Sequence, residues 1–136
     1  MFLDQDRKGY ILRISKDDWE RQVFEQKKYY TGLSRGWKLG TIIFFVRKRE
    51  AGDSFIGYGI VEKIDTLSEL TPEEEKYCEE NGWKLALKFK YVSKFSTPYP
   101  IKNSILSNDV RKGRYLHGVA LNEDQVNEIL EKAKDS

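Results

Sequence analysis

The sequence predicts an α+β domain: a small curled mixed sheet or open barrel, with helices packed around it. Three stretches carry this reading. Residues 37–64 (WKLGTIIFFVRKREAGDSFIGYGIVEKI) read as a buried strand, a charged turn and a second strand. Residues 83–92 (WKLALKFKYV) alternate apolar and polar positions with the period of a strand. Val126, Ile129, Leu130 and Ala133 repeat with the i, i+3, i+4, i+7 spacing of an amphipathic helix. Residues 41–46 are too apolar for a strand with one wet face. A hairpin this apolar needs cover on both faces, which puts it at the centre of the sheet.

The remaining elements follow in order. Residues 10–14 (YILRI) form a short strand. Ser15 with Asp18 three positions on resembles a capping box for a helix over residues 16–26. That helix sets Trp19 and Val23 one turn apart on a core-facing side. Residues 27–40 (KKYYTGLSRGWKLG) hold three glycines and three aromatics and read as an irregular loop. Two readings fit this loop. Its aromatics and cations suit base stacking and phosphate contact, or they lid the core.

Residues 47–54 reverse the chain around Gly52-Asp53. In the next strand, Gly57 and Gly59 mark a bulge, a bend or close backbone approach. Thr71, Pro72 and Glu74 spell the start of a helix, with a capping box and three acids in the first turn, and Gly82 stops it. This helix has a weak apolar face, Tyr77 and Cys78, and is peripheral. In residues 83–92, Lys84, Lys88 and Lys90 share one face, which reads as solvated or as a nucleic-acid surface. A short helix near Pro100 brings Ile101 and Ile105 together. Residues 115–121 form a last strand, and Asn122 with Gln125 caps the final helix.

Composition bounds the function. A chain of 136 residues gives one domain, residues 1–136, with three Trp, eight Tyr and seven Phe for a core. The net charge of +2 confines any nucleic-acid binding to a local patch. One cysteine excludes an internal disulfide and suits a reducing compartment. The opening MFLDQDRKG carries acids and no long apolar run, unlike a secretory signal, and no stretch is apolar enough to span a membrane. The expectation is a cytoplasmic protein.

Catalytic patterns fail one by one. His117, the single histidine, has no local metal-ligand spacing and no partnered cysteine, and reads as a structural residue. Gly57-Tyr58-Gly59 lacks the third glycine and following helix of a dinucleotide fingerprint. No phosphate loop or nucleophile elbow occurs. No catalytic residue, metal or cofactor is expected, and a binding module is favoured over an enzyme.

Taken together, the motifs resemble the EVE domain of the PUA-like superfamily, which also includes YTH and ASCH domains. Ser15 at the end of the first strand is similar to the family's Lys-Ser pair, with Ile14 at the lysine position. Lys38-Leu39-Gly40 is similar to its Lys-x-Gly-Asp motif, with Thr41 for Asp. Residues 55–62 (FIGYGIVE) resemble its Ile-Val-Gly-Ile-Ala-Glu-Val strand. Residues 83–101 resemble the strand leading into a proline turn, and Gly113-Arg114 onward the closing segment. The resemblance implies a PUA-like fold with a pocket between the first strand's end, the aromatic loop and the central hairpin. It implies RNA or DNA as partner, with a modified base held as YTH relatives hold theirs. Tyr29, Tyr30 and Trp37 would supply walls, Ser15 and Thr31 edge contacts, and Phe45 and Gly57 the hairpin side. Arg35, Lys38 and Arg114 would meet phosphate. The alternative is an ASCH-like hydrolase of modified nucleosides. Its Gly-x-Lys-x-x-x-Glu-x-Arg pattern begins at Gly36-Trp37-Lys38 and then lapses.

Overall fold

In the computed structural model, residues 42–46 are all buried, so successive side chains fill both faces of one strand. The structure describes residues 9–111 and 113–134, the side chains of residues 113, 114 and 134 excepted. Strand β3 (Ile42–Arg49) pairs antiparallel with β4 (Gly52–Thr66), which pairs antiparallel with the long β5 (Leu85–Pro100). On the other side of β3 lies β1 (Gly9–Arg13), parallel to it, with Tyr10 opposite Ile43. The edges are β2 (Lys28–Thr31) beside β5 and the two-residue β6 (Ala120–Leu121) beside β1. The order is β2-β5-β4-β3-β1-β6, an open mixed sheet.

Each face has its own core. Ile11, Phe44, Val46 and Phe55 pack against Val126, Ile129 and Ala133 of α3 (Glu123–Lys134). Tyr10, Leu12, Ile43, Phe45 and Ile56 pack against Val23 and Phe24 of α1 (Asp17–Gln26). A smaller cluster of Tyr30, Leu70, Cys78 and Ala86 sits under α2 (Pro72–Asn81). No helix among the described residues is long and apolar enough to cross a membrane.

Register shifts next to Phe45, Gly57 and Val61 bend the central strands. Gly57 allows close approach: a Cβ there would lie 2.5 Å from the Ser93 carbonyl oxygen and 2.7 Å from the Phe24 ring. The glycine therefore lets α1 lie directly on the sheet. An ionic clamp holds the same helix. Glu20, largely buried, receives Arg47 at 2.6 Å, Arg49 at 3.0 Å and Lys94 at 3.2 Å.

Several expectations change. Residues 28–31, read as loop, form β2 because Tyr29, Tyr30 and Thr31 meet the open edge of β5. Ser15 does not cap α1; the helix starts at Asp17, with Lys16 at its N-cap and no side-chain hydrogen bond there. In β5, Ala86 and Leu87 are both buried because both faces are covered there: Leu87 packs in the core under α1, and Ala86 in the cluster under α2. Lys88 leaves the lysine row to pair with buried Asp65 at 2.7 Å. The helix expected near Pro100 is a 3-10 turn, Ile101–Asn103; Ile101 is buried while Ile105 is exposed. The last strand shrinks to Ala120–Leu121, behind a 3-10 turn at Gly113–Leu116. Both remaining capping boxes form: Thr71 with Glu74, and Asn122 with Gln125.

Candidate functional site

The end of β1, helix α1 and strand β2 diverge around a cleft of about 580 Å³. Its position follows from the sheet order. Strand β1 delivers Arg13 and Ser15 at its C-terminal end, and α1 then leans Trp19 and Gln22 over the opening. Strand β2 supplies Tyr29, Tyr30 and Thr31, continuing into Gly32 and Leu33. Gly82 and Trp83 close one end, and His117 the other. Gly32 and Gly82 pass so closely that a Cβ on Gly32 would sit 2.7 Å from the Gly82 carbonyl oxygen.

One wall is an aromatic group. The Trp83 ring stacks on Tyr30, with centroids 5.8 Å apart and 17° between planes, and meets Trp19 edge-on at 5.3 Å. The Trp19 indole N–H donates to the Tyr77 hydroxyl at 3.0 Å, and the Lys16 ammonium lies 4.6 Å from the Trp19 ring centre. Behind this wall the Tyr30 hydroxyl donates to Glu74 at 2.6 Å, with Lys28 3.3 Å from the same oxygen. The Tyr30 hydrogen bond, reinforced by Lys28, holds the Glu74 carboxyl down at about 2 despite partial burial. Burial and the Glu74 charge push the Tyr30 phenol well above its ordinary value. These bonds fix the wall's tilt before any ligand arrives.

The opposite wall is polar. The backbone N–H of Arg13 donates to His117 Nδ1 at 3.0 Å, and the Tyr29 hydroxyl donates to the Arg13 carbonyl at 2.6 Å. The Arg13 guanidinium is 3.0 Å from Asp53. Burial, with the positive charges of Arg13 and Arg35, lowers the His117 pKa. His117 is therefore neutral near pH 7, and because Nδ1 accepts, Nε2 carries the proton. Among the described residues Nε2 has no partner, so the ring presents a hydrogen-bond donor.

The sequence-derived site residues divide. Ser15, Tyr29, Tyr30 and Thr31 meet at the cleft. Thr31 is nearly buried, its hydroxyl oxygen accepting from the Leu33 N–H at 3.0 Å. Trp37 lies outside the cleft, packed edge-on against Tyr10 at 5.0 Å and donating to the Leu33 carbonyl. Phe45 is fully buried behind Tyr29, 6.3 Å between ring centres, and Gly57 is buried beneath Phe24. Arg35 stands beyond Leu33 and donates to the Gly118 carbonyl at 3.0 Å; Lys38 is exposed farther along the loop. The Arg114 side chain lies outside the described residues. Cleft residues that the sequence did not single out for the site include Arg13, Trp19, Gln22, Trp83 and His117. Their meeting depends on pairings such as Arg13 with His117, 104 positions apart. Only the helical phase of Trp19 and Gln22, three residues apart, was a local signal.

Among the described residues, the six-stranded open mixed sheet and the three helices match the fold of an ASCH protein. The crystal structure of ASCH from Zymomonas mobilis superposes with a TM-score of 0.66 at 13% identity, covering 93% of this chain and 96% of that one. A tyrosine-to-phenylalanine variant of that protein gives 0.65 at 13% identity, over 92% and 98% of the two chains. A serine-to-alanine variant gives 0.67 at 14%, over 94% and 98%. No family model and no curated protein matches the sequence.

Proposed function

We propose that residues 1–136 form one EVE-type reader module that binds RNA or DNA by holding a single extruded base, modified bases included, in the cleft. The observation that carries this is a cleft that joins a fixed aromatic wall, Trp19 and Trp83, with the polar groups of Ser15, Gln22 and the His117 Nε2–H. A flipped base needs a flat apolar surface to stack on and a few polar groups along its edge. The cleft volume suits a heterocycle of that size. Gln22 offers both donor and acceptor, and His117 a donor alone.

Binding is preferred to ASCH-type hydrolysis for two reasons. No described carboxylate lines the cleft. The histidine nitrogen left open already holds its proton, so it is no general base near pH 7. The proposed setting is the cytoplasm.

The test is affinity of the parent and of Trp19→Ala for methylated and unmodified nucleosides and for short single strands. The variant binds roughly 5- to 150-fold more weakly, the span of about 1–3 kcal/mol per stacked base. Equal affinity, with both proteins folded by circular dichroism, contradicts the reading. Product formation from any nucleoside favours the hydrolase.

A further inference from the structure

We infer that the chain carries a second subsite, beside the base cleft, that takes the nucleotide flanking the extruded base on a single strand. The inference rests on the base-cleft reading and extends it from a lone base to a polynucleotide. The subsite is a separate groove of about 320 Å³ on the far side of residues 32–37, adjoining the cleft at Gly32 and Leu33. Its apolar bed is Leu33, Trp37, Ile64 and Leu85, and its charged groups are Arg35 and Lys84.

Three observations select the occupant. The groove's lining holds two cations and no carboxylate, so it favours an anionic ligand in a protein whose net charge is only +2. Lys84 is exposed, and its ammonium has no partner among the described residues, whereas neighbouring Lys63 and Lys88 both lie against Asp65. The partly exposed Trp37 supplies an aromatic surface, with its N–H turned inward to the Leu33 carbonyl. Cationic and aromatic groups lining one groove are the pattern of a single-strand path, where cations follow the backbone and rings take bases. Because Gly32 and Leu33 wall both cavities, one strand can occupy both.

The test compares ten-residue single strands, RNA and DNA, of random sequence with the 5′-mononucleotides, using parent protein and Lys84→Gln. The parent binds the strands more tightly than any mononucleotide. Lys84→Gln loses about fivefold for the strands at 0.1 M salt and flattens the plot of log affinity against log salt by about 0.7, the weight of one phosphate contact on a single strand. Its mononucleotide binding is unchanged. The groove is refuted, with the cleft intact, if the parent binds strands no better than mononucleotides, or if Lys84→Gln leaves the strand affinity and salt slope alone. It is also refuted if Lys84→Gln weakens mononucleotides equally, which assigns the lysine to the cleft. A parent that binds neither probe refutes the cleft reading and the groove together.

Discussion

His117 shows how a residue's role is set by what holds it. The Arg13 backbone N–H occupies Nδ1, so protonating the ring puts two donors face to face, in a site already disfavoured by burial and two nearby cations. The folded-state pKa is thus below the unfolded value of about 6.5. Between those two values the unfolded chain binds the extra proton, so stability is complete above about pH 6.5 and falls as pH drops. With one histidine in the chain, this window belongs to a single group. His117→Gln is expected to flatten the stability profile there, measured by urea melts from pH 7 to pH 5. A slope identical to the parent's contradicts the neutral, Nδ1-accepting ring.

At the scale of elements, helix α1 matters most, because it carries Trp19 and Gln22 to the cleft while Glu20, between them, anchors it. Burial alone raises the Glu20 pKa, but the hydrogen bonds from Arg47, Arg49 and Lys94 outweigh it and hold it at about 2. Since the folded value is depressed, this contribution is present above about pH 4.5 and is lost as pH falls toward 2, below the histidine window. Glu20→Gln is expected to destabilise the fold by about 2 kcal/mol at pH 7, the loss of charged hydrogen bonds to one group. An unchanged denaturation midpoint shows that the clamp is ornamental. Elements also differ in how far local sequence announces them. Thr71–Glu74 and Asn122–Gln125 were legible because a capping box is complete within four residues. Strand β2 was not, because its ladder depends on β5, from Lys28 opposite Lys88 to Thr31 opposite Leu85. The lysine alternation of residues 84–90 misled for the same reason, because distant partners decide burial: Ala86 packs under α2, and Lys88 pairs with buried Asp65.

At the scale of the molecule, the apolar run at residues 42–46 demanded a two-sided core, and the sheet has one. The cleft was half legible. Ser15 and the Tyr29-Tyr30-Thr31 run meet at the cleft, whereas Trp37, only six positions past Thr31, sits on the other side of its loop, against Tyr10. Trp19 read as a core anchor from helical phase, and periodicity does not distinguish a buried wall from the wall of a hollow. What decided the matter was the crossing of α1 over β2.

The three tryptophans make the central claim directly measurable, because two line the cleft and the third lies in the adjoining groove. Nuclear magnetic resonance of the indole N–H signals, during titration with a bound nucleoside, reads all three at once. The account predicts that Trp19 and Trp83 shift with saturation while Trp37 stays still. Movement of Trp37 alone, or of none of the three while the nucleoside binds, contradicts it.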